Sequence, residues 1–109
     1  FSPGGNRLYA DNIVGGWVVF NGATPDTPVL GGWNVAGVTD VDVGQWIVRW
    51  ITPFATANYA VSVMWAGNPG VILINAEAVA TTHVTVRAYN SSLTGQDPQY
   101  ISVIAVGRQ

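Results

Sequence analysis

The feature that most constrains the fold of this chain is an alternation of apolar and other residues with a period of two, which runs from residue 17 almost to the end. Such alternation is typical of β-strands with one face in a core. Turn-forming residues divide it into seven short segments, at residues 17–21, 33–38, 45–51, 59–65, 71–76, 83–89 and 100–106. Only residues 74–80 favour a helix, and they are too few to form one. The pattern predicts an all-β fold, an antiparallel β-sandwich of about seven to eight short strands.

The tryptophans divide between the predicted core and the ends of strands. Trp46 and Trp50 share one strand face, so we expect both in the core, and Trp17 is expected there too. Trp33 and Trp65 lie at strand ends beside loops. There a ring can stack on a sugar or simply close the end of the core, and the sequence leaves both alternatives open.

The segment TDVDVG, at residues 39–44, has two possible interpretations. Asp40 and Asp42 ahead of Gly44 resemble the opening of a calcium loop. An EF-hand loop also needs a glycine at position 6 and a glutamate at position 12, and counting from Asp40 these positions are Gln45 and Ile51. Aspartate and glycine are instead ordinary turn residues, so the segment is predicted to be a hairpin turn without a metal.

Charge is scarce in this chain of 109 residues, whose length predicts a single domain. Only 9% of the residues are charged, against about 25% in an ordinary soluble domain. We therefore expect the chain to bury apolar surface against other copies of itself, through Ile47, Ile51 and Met64 on the strand faces opposite the tryptophans. A net charge of −2 with four cationic residues argues against nucleic acid. No apolar run approaches the roughly 18 residues needed for membrane insertion as a helix.

The first residues differ from the rest. The chain opens with Phe1 and shows no signal-peptide pattern, so it is most simply interpreted as a segment of a longer polypeptide. Residues 1–16 are predicted to be a lead-in from that longer chain, and residues 17–109 the β-sandwich domain. A two-residue turn at Gly15 and Gly16 would pair residues 8–14 with residues 17–21.

No combination of residues points to catalysis. The single histidine, His83, stands at a strand start, and the chain has no nucleophile motif such as G-x-S-x-G for it to serve. Zinc needs three or four nitrogen, sulfur or carboxylate ligands, and the chain has no cysteine. A glycosidase needs two carboxylates, and all the candidates except Glu77 lie in turns that already explain them. The sequence predicts a binding protein rather than an enzyme, with no cofactor and no metal.

Four separated blocks resemble the C-terminal tip domain found on the tail fibres of tailed bacteriophages. They are WVVFNG at residues 17–22, the segment at residues 34–61 that begins NVAGVTDVDVG, VTVRAYN at residues 84–90 and DPQYISVIAVG at residues 97–107. The sequence departs from the family pattern in three ways. Trp46 and Trp50 stand where the family has Tyr and Phe, Val43 occupies a position often held by a small or polar residue, and the loop at residues 23–32 looks longer than usual.

The resemblance implies a setting as well as a fold. The domain would be the distal tip of a homotrimeric fibre, on the virion and outside cells, joined to the rest of the tail fibre. It would bind a bacterial cell-surface glycan or an outer-membrane protein during adsorption. The alternative is a structural domain that trimerises and caps a fibre whose receptor site lies elsewhere. No catalytic residues come with the family.

A candidate receptor site follows from the alternating direction of the strands. The hairpin at residues 40–44, the turn at 66–70 and the loop at 90–99 are predicted to share the end that points to the host, with loops 22–32, 52–58 and 77–82 at the other end. The candidate ligand-binding residues near the first end are Trp65, Asn68, Arg87, Tyr89, Asn90 and Asp97. Trp65 or Tyr89 would supply the stacking ring, and the amides and Asp97 would bond sugar hydroxyls. Alternatively, these are ordinary turn residues beside a subunit interface.

Overall fold

The computed structural model describes residues 14–24, 26–67 and 73–109. These residues form β-strands and no helix, so the predicted all-β class is confirmed. The eight strands are β1 (Val14–Phe20), β2 (Val29–Trp33), β3 (Val35–Asp42), β4 (Gln45–Trp50), β5 (Ala60–Ala66), β6 (Leu73–Val79), β7 (His83–Tyr89) and β8 (Tyr100–Val106). With no helix in these three ranges, there is none that could cross a membrane.

The strands form two four-stranded antiparallel sheets. Sheet A has the order β2-β1-β8-β5, and sheet B has the order β3-β4-β7-β6. The core lies between them and takes the inward residues of both, as the strand alternation requires: Val18, Phe20, Trp46, Val48, Trp50, Val84, Val86, Ala88, Ile101, Val103 and Ala105 are all buried. The inward placement predicted for Trp46 and Trp50 is confirmed.

The segment at residues 33–38 was predicted as one strand, and that prediction is wrong. Asn34 adopts a left-handed backbone conformation with a φ of 60° and separates β2 from β3, which belong to different sheets. Asparagine tolerates this conformation better than most residues. Its side chain also accepts a hydrogen bond from the Thr52 backbone N–H at 2.7 Å and donates one to the Gly15 carbonyl at 2.7 Å. A single residue thus carries the chain from one sheet to the other.

The extra strand β2 takes up residues 29–32 of the predicted loop 22–32 together with Trp33. The loop that remains before β2 lies at a different end of the sandwich from the one predicted. Phe20 pairs with Ile101 near the start of β8, and a Cβ built on Gly22 would lie 2.7 Å from the Pro98 carbonyl oxygen. Residues 21–24 and 26–28 therefore lie beside the loop 90–99, and their predicted placement at the opposite end is wrong.

Two connections predicted to share an end do so. The Gly44 N–H donates to Asp97 Oδ1 at 2.8 Å, and the Gly44 carbonyl accepts from the Ala88 N–H at 2.9 Å. The hairpin at residues 43–44 and the loop 90–99 are thus bonded to each other. We call this the hairpin end, formed by residues 21–24, 26–28, 43–44 and 90–99. The other, the Asn34 end, is formed by Asn34, residues 51–59 and 80–82 and the start of β1.

Gly15 and Gly16 do not form the predicted turn, because both lie inside β1. A Cβ at Gly15 would lie 2.5 Å from the Phe54 ring, and one at Gly16 would lie 2.6 Å from the Trp50 ring. The glycines therefore permit a close approach of two aromatic rings rather than a reversal of the chain. The predicted pairing partner, residues 8–14, lies almost wholly outside the described residues.

Candidate functional site

The outer face of sheet A is apolar. Trp17 was predicted in the core, but it faces outward with 39% of its surface exposed, because the inward positions of β1 are taken by Val18 and Phe20. It pairs directly with Trp33, which is 53% exposed. Residues paired across a sheet share a face, so the pairing defines two adjacent rows: Trp33, Trp17, Ile104 and Ser62, and then Gly31, Val19, Ser102 and Met64. We call these eight residues the apolar face.

Charge is divided unequally between the two sheets. No residue of the four strands of sheet A is charged. The charged residues and the histidine of the described strands all belong to sheet B: Asp40, Asp42, Arg49, Glu77, His83 and Arg87. The two outer faces of the sandwich therefore suit different kinds of contact.

The residues predicted to bury apolar surface between copies do not lie together. Ile47 is half-buried on the outer face of sheet B, paired with Thr39 and Thr85. Ile51 is exposed in the bend after β4, at the Asn34 end. Only Met64, which is 64% exposed, belongs to the apolar face. The three side chains therefore do not share one surface, because strand alternation does not say which sheet a strand joins, and their burial between copies stays a prediction.

The outer face of sheet B carries a connected set of polar side chains. Arg87 lies at its centre, with its Nε 3.2 Å from Glu77 Oε2 and its guanidinium donating to Gln45 Oε1 at 2.8 Å. The Arg87 Cζ lies 5.8 Å from the centroid of the Tyr89 ring, and the Tyr89 hydroxyl donates to Asn75 Oδ1 at 3.3 Å. We call these five residues the polar group. These contacts link side chains of β4, β7 and β6 into one connected set.

The structure separates the six predicted site residues. Arg87 and Tyr89 are brought together in the polar group, as their i, i+2 spacing on a strand requires. Trp65 pairs with the buried Ile101 and packs against the core, so it does not share their outer face. Asn68 lies outside the described residues.

The other two predicted residues hold the hairpin end in shape. The Asn90 Oδ1 accepts hydrogen bonds from the backbone N–H groups of Ser92 and Thr94, at 2.9 and 3.0 Å. Asp97 accepts the bond from Gly44 described above. Both are therefore turn-stabilising residues, which was the alternative interpretation of this group.

Three carboxylates gather at the hairpin end. Partial burial raises the pKa of Asp40 above its ordinary value, and repulsion from Asp97 and then Asp42 raises it further. Within the described residues, no three His, Cys, Asp or Glu side chains are arranged to hold a metal ion. The carboxylates are thus a source of mutual repulsion in a turn.

An open cavity of about 440 Å³ lies at the Asn34 end. It is lined by Ala55, Thr56, Asn58, Tyr59, Ala60, Val106, Gly107 and Arg108. The Tyr59 hydroxyl is already committed, since it accepts from Trp50 Nε1 at 3.1 Å and donates to the Ala80 carbonyl at 2.6 Å. No carboxylate and no imidazole lines this cavity, so it offers no acid–base pair.

Three residues of the polar group escaped prediction: Gln45, Asn75 and Glu77. Each is unremarkable in its own segment, and they meet Arg87 only because β4 and β6 flank β7. A prediction of strand order would have been needed to find them. No protein-family model, no curated protein and no solved structure matches this chain.

Proposed function

We propose that this chain is a receptor-binding domain at the distal tip of a tailed-bacteriophage tail fibre. In this proposal it works as an extracellular homotrimer on the virion and attaches to a bacterial surface receptor, a polysaccharide or an outer-membrane protein. The four sequence blocks that resemble such tip domains support the setting. The observation that carries the binding function is the polar group on the outer face of sheet B.

The polar group has the composition of a glycan site. A pyranose ring presents an apolar face that stacks on an aromatic ring, and its hydroxyls both donate and accept hydrogen bonds. Tyr89 supplies a ring, Arg87 supplies donors, and Asn75 and Gln45 supply amides that can do either. Because these side chains already hold one another, binding loses less conformational entropy than it would at a set of free side chains.

The polar group contains a single carboxylate, which fits a site that binds a glycan without cleaving it. Glu77 is paired with Arg87 at 3.2 Å, and a glycosidase would need a second carboxylate within about 5–10 Å on the other side of the bond. A paired Glu77 instead balances the charge of Arg87, so the group as a whole is neutral. A neutral surface of this kind suits an uncharged sugar better than a strongly anionic polymer.

Two arginines on one outer face provide a matched test. Arg87 belongs to the polar group, whereas Arg49 on β4 lies outside that group and donates to the Thr39 hydroxyl. The fluorescently labelled protein would be assayed against purified bacterial surface polysaccharides, outer-membrane proteins and intact bacterial cells. We expect Arg87→Ala and Tyr89→Ala to weaken binding at least about 10-fold, and Arg49→Ala to bind as the unaltered chain does. Equal binding by all three variants would overturn this site, and an absence of binding to every probe would count against receptor binding itself.

The apolar face favours a second candidate function. A domain whose main task is to hold three chains together needs a large uncharged surface, and sheet A presents one. In that case the chain would cap and trimerise a fibre whose receptor site lies elsewhere. Stable trimers that bind none of the probes would support this structural function over the first.

A further inference from the structure

We infer that the apolar face is the surface through which copies of this chain assemble with one another. This surface is the contact that would hold the proposed homotrimer together. Only the number of copies, three, rests on the proposed function. Its basis is a set of large side chains that a single copy leaves in water. Trp33 and Met64 are more than half exposed, and Trp17 and Ile104 are 39% and 44% exposed.

The absence of charge on the apolar face indicates that the molecule covering this face is another copy of the chain. In a symmetric assembly each face meets copies of itself, so a charged residue near the symmetry axis would oppose its own sign. None of the residues in the strands of sheet A carries a charge. A basic or acidic partner would find nothing to pair with on this face. The chain has carboxylates and arginines, but within strands it confines them to sheet B.

A glycan is a poor alternative occupant for the same face. Sugars need several polar partners besides a stacking ring. Around Trp17 and Trp33 the neighbouring positions are glycine, valine and isoleucine, and the nearest polar side chains in the two rows are Ser62 and Ser102. Two hydroxyls cannot satisfy the hydroxyls of a sugar ring. Packing against another copy of this face leaves only the hydroxyls of Ser62 and Ser102 to be satisfied, and a hydroxyl both donates and accepts hydrogen bonds.

The dimensions of sheet A allow three copies to close. Four strands about 4.8 Å apart and about seven residues long make a face of about 19 by 23 Å, or roughly 440 Å² in projection. A closed trimer would bury all three faces, roughly 1,300 Å² in projection summed over the whole assembly. A triangular prism with sides of about 19 Å places each sheet about 5.5 Å from the axis, close to half of the roughly 10 Å between packed sheets.

A charge placed on the face tests the inference. Light scattering and sedimentation velocity at micromolar concentration would be applied to the chain and to Met64→Lys and Ile104→Lys, two positions exposed enough in one copy to accept lysine. Leu93→Lys is the matched control, because it adds the same charge at an exposed position in the loop 90–99, off the face. We expect the unaltered chain and the control to be trimers. Like charges across an interface are strongly unfavourable, so the other two should dissociate with a rise of at least about 100-fold in dissociation constant.

Two further measurements distinguish dissociation of folded chains from loss of the fold. Far-UV circular dichroism would show that each variant is folded, and dissociation of folded chains should shift tryptophan emission to the red as Trp17 and Trp33 meet water. A monomeric unaltered chain, or a lysine variant that stays assembled, would overturn the inference. A dimer that dissociates in the same way would support the face but overturn assembly in threes. Receptor binding by a monomeric chain would leave the proposed function standing without this interface.

Discussion

Gly16 offers a direct test of how the Asn34 end is packed. A Cβ at this position would lie 2.6 Å from Trp50 Cζ3 and 2.8 Å from Cε3. Carbon atoms in ordinary contact are about 3.5–4.0 Å apart, so Gly16→Ala requires the ring or the strand to move by about 1 Å. We expect that movement to be costly, because the Trp50 ring has little freedom.

Two contacts hold the Trp50 ring. It is buried, and its Nε1 donates to the Tyr59 hydroxyl at 3.1 Å. Its ring meets the edge of Phe54 at 5.7 Å between centroids, and Phe54 in turn stacks on Tyr59 at 3.8 Å. A displaced Trp50 would disturb the whole set. Overpacking in such a core costs about 1–3 kcal/mol, and the lower chain entropy of alanine in the unfolded state offsets about 0.4–1 kcal/mol of that.

Urea unfolding would measure the effect against Gly37→Ala, since a Cβ at Gly37 meets nothing within 4 Å. We expect Gly16→Ala to lower the free energy of unfolding by about 1–2 kcal/mol. Gly37→Ala should leave it unchanged or raise it by up to about 1 kcal/mol. If Gly16→Ala were as stable as Gly37→Ala, the close approach of β1 to Trp50 would be wrong. The turn that the sequence predicts at Gly15 and Gly16 would then have to be reconsidered.

Three further changes test the core and the ionisable groups. Trp46→Ala should lower the free energy of unfolding by about 3–5 kcal/mol, because the ring is wholly buried; retained stability with loss of ligand binding would contradict its core position. Tyr59→Phe leaves Trp50 Nε1 without its acceptor and should cost about 1–3 kcal/mol at pH 7. Burial raises the pKa of Tyr59 above its usual value near 10.0. The stability that the neutral phenol contributes is therefore present below that usual value and is lost as the pH rises through the raised pKa. The loss of unfolding free energy caused by Tyr59→Phe should shrink over that rise in pH. Burial and two neighbouring carboxylates raise the pKa of Asp40 above its usual value of 3.8. The stability contributed by the protonated carboxyl group is therefore present below pH 3.8 and is lost as the pH rises through the raised pKa. Asp40→Asn should therefore raise the free energy of unfolding slightly at pH 7, by less than about 1 kcal/mol, and should not raise it at pH 3. A calcium-dependent shift in the melting temperature of the unaltered chain would restore the metal interpretation.

Alternation predicts a strand face well where the two sides of the strand differ. β4 places Trp46 and Trp50 inward and Arg49 outward, and β7 and β8 have the predicted bounds. Alternation fails for β1, where residues 17–20 are all apolar. Either face of that run could enter the core, and the structure turns Trp17 outward.

Two other features depend on partners that are distant in the sequence. A glycine pair predicts a turn when seen alone, and the rings that require Gly15 and Gly16 come from another part of the chain. Similarly, β2 has two glycines among its five residues and so has low strand propensity by itself. It forms an edge strand because Trp33 pairs with Trp17 and Asn34 fixes its end. The candidate site shows the same limit, since the partners of Arg87 follow from strand order and not from local sequence.

The scarcity of charge noted in the sequence has a location in the structure. A chain with 9% charged residues could spread them thinly over its surface, and each sheet would then carry a few. Instead, every charged strand residue lies in sheet B, and sheet A meets the exterior with tryptophan, isoleucine and methionine. Exposed apolar side chains cost free energy in water, at about 25 cal/mol per Å². Such a face is therefore least costly when another copy covers it, as we infer, and in the proposed function sheet B is then the outer face left free to meet a receptor.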